Sequence, residues 1–112
     1  MREQFAHLHQ VRLMWLKAAD PEIYKHLKPI ESLTKKSIRE ALTQSGQAIE
    51  ELFNEAVKKG AIKGFKPHPE AFAGYLISHE SHHRGQIVLC LKQSGHPIPK
   101  EILFGVWDWA KR

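Results

Sequence analysis

The chain has 112 residues, 42% of them apolar and 26% charged, with a formal net charge of +5. That length supports one domain, residues 1–112, with a single hydrophobic core, and the composition is that of a globular protein rather than a disordered or fibrous one. No apolar run approaches the roughly 18 residues of a membrane-spanning helix, and the excess cations are scattered with no dense run between aromatics, so they read as a solvated surface and not a nucleic-acid interface.

The N-terminal segment "MREQFAHLHQ" lacks the apolar centre of a signal peptide. Cys90 is the only cysteine and has no partner within the chain. A cytoplasmic, reducing location is expected.

In chain order, "EQFAHLHQVRLMWLKA" carries apolar residues at helical spacing and predicts a helix over about residues 2–18. Asp20-Pro21 predicts an N-cap followed by the proline of a first helical turn, opening a short helix or irregular connection that ends at Pro29. Thr34 or Ser32 is placed to cap a second long helix over about 34–59. Its apolar stripe is read as Ile38, Leu42, Ile49, Leu52, Phe53 and Val57. "GAIKGFKPHP" has the glycines and prolines of a loop. A third long helix is predicted over about 69–94, ended by Gly95 and Pro97. Its stripe runs Phe72, Leu76, His79, His83, Ile87, then Cys90 or Leu91. "PKEILFGVWDWAK" predicts a short C-terminal helix whose Trp107 and Trp109 cap the core. No period-2 strand is present. The fold class is all-α, an antiparallel helical bundle.

Eight histidines in such a chain are more unusual than its charge. His79-Glu80-Ser81-His82-His83 is formally the H-E-x-x-H of zinc metallopeptidases. In that reading Glu80 is the base and a third ligand follows downstream. The positions after His83 lack the glycine and histidine of the longer motif, and there is no strand to bind an extended substrate. The peptidase is a distant alternative.

The histidine pair itself has a clearer consequence. Residues four apart on a helix lie about 40° apart around the axis and about 6 Å along it, so His79 and His83 point the same way, in register with the apolar stripe. Two core imidazoles each need a polar partner, and one shared divalent metal satisfies both. Two imidazoles need a third ligand, for which the first helix offers His7 or His9. These lie about 200° apart, so only one faces the bundle centre, and periodicity does not choose between them.

"FAHLHQVRLMWL" together with "HESHHRGQIVLC" resembles the DinB/YfiT-like superfamily of four-helix-bundle metalloproteins. The first segment matches the family pattern at His7-Leu8, Arg12 and Trp15-Leu16, and the second matches closely in "HHRGQI". The resemblance implies His7, His79 and His83 as metal ligands. It also implies a long helix before the one that carries the first histidine. Only six residues precede His7, so the expected fold is an N-terminally shortened bundle.

Three neutral imidazoles leave coordination positions open, which is the layout of a catalytic site. Nickel or zinc suits such donors, with iron and manganese as alternatives. The family resemblance implies metal-dependent transfer or related chemistry on low-molecular-weight thiols or their adducts; the alternative is a non-enzymatic bundle that binds metal or a partner. Glu80 is expected beside the site or at the surface, His82 flanking it, and Arg84 and Gln86 in helix-to-helix or interchain hydrogen bonds. Cys90 is expected in packing, and His26, His68 and His96 in loops or at the surface. A first helix apolar nearly all round predicts a two-fold homodimer in which that helix and its counterpart fill each other's gap.

Overall fold

The computed structural model describes residues 1–111 and contains α1 (Arg2–Ala19), α2 (Pro21–Tyr24), α3 (Lys35–Lys59), α4 (Pro69–Gln93), α5 (Lys100–Gly105) and a closing 3-10 turn (Trp109–Lys111). The fold is the expected all-α bundle, and the three long helices fall within a residue or two of their predicted bounds. Local chemistry sets those bounds. The Asp20 carboxylate accepts hydrogen bonds from the amides of Glu22 and Ile23, at 3.1 and 3.2 Å, and starts α2. Of the two candidate caps for α3, Thr34 is used, its hydroxyl accepting from the Ser37 amide at 3.1 Å. Gly60 ends α3 in the left-handed region at φ 73°, where a side chain would be strained.

The direction of the helices follows from their contacts. Arg12 reaches Leu42 and Ser45, and Leu16 packs in one cluster with Ala48 and Leu52, so α1 and α3 run the same way. α4 runs against both, with Phe72 and Leu76 in that cluster beside Leu16 and Glu80 at Arg12. A parallel neighbour requires the chain to return along α1, and residues 20–34 do this. The return is pinned by His9 Nε2 donating to the Lys28 carbonyl at 2.9 Å and by Arg2 donating to the Leu33 carbonyl at 3.2 Å.

The core is concentrated where α1 ends, α3 ends and α4 begins. Leu16, Ala48, Leu52, Ala56, Ile62, Phe72 and Leu76 are buried together there. Trp15, Phe65, Phe72 and Tyr75 surround one another with ring centroids 5.3 to 6.4 Å apart, mostly edge-to-face, the geometry that aromatic quadrupoles favour. Ile62 and Phe65 reach this cluster from the α3–α4 loop, joined by one isolated antiparallel bridge.

Three expectations are corrected. The buried face of α3 is Ile38, Ala41, Ser45, Ala48, Leu52 and Ala56, rotated from the predicted stripe, and Val57 is exposed. Small side chains on this face let α1 approach closely. Trp107 and Trp109 do not cap the core; they are 67% and 76% exposed. Cys90 is exposed and not packed, and Leu91 takes the more buried place.

The apolar all-round stretch of α1 is mostly covered as well. Leu13 and Leu16 are buried, Val11 and Trp15 partly so, and Met14 alone of that stretch is exposed. The uncovered apolar surface lies instead on the outer side of α4 and on α5. Among the described residues, no helix is long and apolar enough to cross a membrane.

Candidate metal centre

The end of the bundle away from the aromatic cluster is polar, because α1 begins there with Gln4 and His7 while α4 passes with His79, His82 and His83. The antiparallel pairing of α1 and α4 matches residue 16 to the 72–76 turn, residue 12 to residue 80, and residue 7 to the 79–83 turn. The three imidazoles therefore converge. Ring centroids are 4.7 Å apart for His7 and His83, 4.6 Å for His79 and His83, and 5.6 Å for His7 and His79. One ring nitrogen from each lies within 4.8 Å of the others.

That spacing is close to what a shared ion requires. With metal–nitrogen bonds of about 2.0–2.1 Å in a tetrahedron, ligand nitrogens stand about 3.4 Å apart, a distance that small rotations of the rings reach. The hydrogen bonds also suit coordination. His83 Nδ1 faces the carbonyl oxygens of Gln4 at 2.7 Å and Gln86 at 3.0 Å. Both are acceptors, so Nδ1 carries the proton and Nε2 is bare. This is how protein groups behind a ligand fix its tautomer and direction. His79 is held by stacking on Tyr75, with ring centroids 6.2 Å apart and planes 20° apart. Its Nδ1 is buried with no hydrogen-bond partner, a costly state that a cation would relieve.

Burial first, and then the facing His83 and His7 rings, hold the His79 imidazole below its ordinary pKa, with Glu80 opposing. A lowered pKa means the neutral, ligating form dominates at neutral pH. Proton competition at His79 is therefore displaced to lower pH than for an ordinary imidazole. Zinc affinity is accordingly expected to fall as the pH drops into the acid range where histidine is protonated, measured by calorimetric titration. A flat profile down to pH 5 would mean that histidine is not supplying the ligands.

Of the two upstream histidines, His7 joins the cluster and His9 does not. His7 is exposed at the open rim of the cluster, whereas His9 is 2% exposed and tied to the Lys28 carbonyl. His9 belongs to the same buried face as Leu8, Leu13 and Leu16. The sequence contained a hint of this, since a ligand with access to substrate belongs on a half-exposed stripe and His9 leads the fully buried one. The Lys28 carbonyl that satisfies His9 was invisible in the pattern.

A residue that sequence reasoning left without a role is Arg12. Its guanidinium makes a bidentate bond to Glu80 through Nε at 2.7 Å and Nη2 at 2.8 Å. Nη1 also reaches the Leu42 carbonyl at 3.0 Å and the Ser45 hydroxyl at 3.3 Å. One side chain thus joins α1, α3 and α4 directly beneath the histidines, and the signal for it was a single charge inside the apolar run "VRLMWL". Both Glu80 oxygens are thus engaged by Arg12.

His82 is exposed, with its ring centroid 5.2 Å from that of His83, and accepts from the Gln86 amide at 3.1 Å. Gln86 therefore bonds within its own helix and not across to another. Arg84 is exposed. His26, His68 and His96 are exposed and apart from the cluster, as expected, and the His68 ring caps α4 by accepting from the Ala71 amide.

The model of the DinB family matches the chain over residues 1–103. No curated protein and no solved structure matches it. Because the matched span holds all three long helices and every residue of the histidine cluster, the chain belongs to the DinB family.

Proposed function

We propose that the chain is a metal-dependent enzyme whose substrate is a low-molecular-weight thiol or a thiol adduct. In this reading His7, His79 and His83 hold one divalent ion, nickel or zinc by preference for imidazole donors. The observation that carries it is the composition and placement of the cluster: three imidazoles from two helices, no carboxylate among them, and one member, His7, on the exposed rim. Three protein ligands with an open side leave room for a substrate atom. When bound, an ion held by neutral donors keeps its full charge and lowers the pKa of a coordinated thiol or water.

The chain's own residues supply the rest. Gln4 and Gln86 accept from His83 Nδ1, which leaves Nε2 free to ligate. Tyr75 fixes the plane of His79 and is itself held by the Trp15 indole, which donates to its hydroxyl at 3.4 Å. Arg12 neutralises Glu80 and keeps it from competing as a ligand.

Cobalt substitution tests the reading. The visible ligand-field bands of the cobalt form are expected to shift, saturably, when a low-molecular-weight thiol is added, and not with the corresponding alcohol. A fully loaded site whose bands ignore a panel of thiols would contradict the proposal and favour a non-enzymatic metal-binding bundle.

A further inference from the structure

Pinning residues 20–34 uses only half of His9. Its Nε2 donates to the Lys28 carbonyl at 2.9 Å, so the ring is neutral on its other side and Nδ1 carries a lone pair. That atom is buried with no hydrogen-bond partner, in a residue that is 2% exposed. A buried acceptor left unmade is costly. The metal centre does not use it, because His7 and His9 lie about 200° apart around α1 and His9 faces away from the cluster.

On that side of α1 lies an open cleft of about 490 Å³, within the size range of small-molecule sites. α1 forms one wall with Gln10, Leu13, Met14 and Lys17, and the returning segment forms the other with Tyr24, Pro29 and Ile30. The His9 ring, bonded across to Lys28, joins the two walls. Among the described residues, Lys17 brings the only formal charge to the lining and has no carboxylate partner. Its ammonium stands 5.9 Å from the centroid of the Tyr24 ring. His9 and Lys17 are two turns apart, about 12 Å along the axis, so a ligand that meets both is elongated and polar at opposite ends.

We propose that this cleft binds a small aromatic carboxylate with a hydroxyl at its far end. The carboxylate pairs with Lys17, a charge-assisted contact. The ring lies against Tyr24, as aromatic pairs favour, with Leu13 and Ile30 on either side. The hydroxyl donates to His9 Nδ1, which accepts a donor and repels a second carboxylate. Met14, unbranched and 54% exposed, is the lining side chain that moves at least cost, and its displacement gives the hydroxyl its path to Nδ1.

Titration of the full chain with para-hydroxycinnamate, followed by nitrogen and methyl NMR of labelled protein, tests the proposal without substituting His9. Saturable binding is expected below about ten millimolar, with the His9 Nδ1 resonance moving as it accepts a hydrogen bond and the Met14 methyl shifting with it. Cinnamate, which lacks the hydroxyl, is expected to bind at least about threefold more weakly and to leave Nδ1 in place. Lys17→Gln, at an exposed position, is expected to weaken binding about three- to fivefold with circular dichroism unchanged. His83→Ala is expected to bind the acid as the parent does. Failure to saturate, equal affinity with and without the hydroxyl, or binding that disappears in His83→Ala, which would put the carboxylate on the metal, would each overturn the proposal.

Discussion

Replacing His83 with alanine is expected to abolish stoichiometric metal binding while leaving the helices intact. His83 is half-exposed and belongs to the polar end of the bundle, away from the aromatic core, so its loss costs little packing. For the metal the loss is large. Groups that merely orient a ligand are worth about 10- to 100-fold in affinity, and in the proposed site His83 is both a ligand and the ring on which Gln4 and Gln86 converge. The expected drop exceeds about 100-fold, read by calorimetric titration with zinc beside circular dichroism. His9→Ala provides the contrast, because His9 bonds the Lys28 carbonyl and sits outside the cluster. That variant should lose stability and keep its metal. Should the two variants behave alike, the assignment of His7 over His9 has no support.

Arg12→Leu is expected to be the most destabilising change among the polar residues. The substitution leaves the Glu80 carboxylate, whose side chain is only 32% exposed, without its bidentate partner, and leaves the Leu42 carbonyl without its side-chain donor. Breaking a fully buried pair costs about 3–5 kcal/mol, and partial exposure of Glu80 lowers that, so a loss of about 3 kcal/mol is expected. For a domain of this size it corresponds to roughly 10–20 °C in Tm. Adding Glu80→Leu to the same variant removes the stranded charge and is expected to restore most of the loss. A further consequence separates this bridge from ordinary packing. Arg12 fixes the register of α1 against α4, and that register brings His7 to His79, so metal affinity should fall with stability in the single variant. Thermal unfolding within about 0.5 kcal/mol of the parent would show that the three-helix bridge is not a determinant of the fold.

The elements of this fold that announce themselves in the sequence are those fixed by local chemistry. Asp20-Pro21, Thr34 and Gly60 mark helix ends with side chains and backbone conformations that have few other uses, and the i, i+4 spacing of His79 and His83 forces one shared direction. What depends on distant partners was less legible. Ala41, Ser45, Ala48 and Ala56 form the buried face of α3, yet a stripe weighted by large apolar residues passes over them in favour of Ile49 and Phe53. The parallel course of α1 and α3 depends on bonds between His9 and Lys28 and between Arg2 and Leu33, which no periodicity encodes. Trp107 and Trp109 read as core residues because tryptophan is large and apolar; their exposure reflects the place of the C-terminal segment on the outer side of α4. The convergence of the site was legible from the pair on α4, while its third member required the spatial pairing of residue 7 with the 79–83 turn.

The proposed function requires one divalent ion held by three histidines of a single chain. X-ray absorption at the metal edge, combined with elemental analysis of protein purified without chelator, tests that most directly. The expected result is close to one equivalent of metal per chain, with about three imidazoles at about 2.0–2.1 Å and lighter oxygen or sulfur donors completing the shell. Metal absent from the purified protein and not taken up on addition, or bound with fewer than two imidazoles, would contradict it.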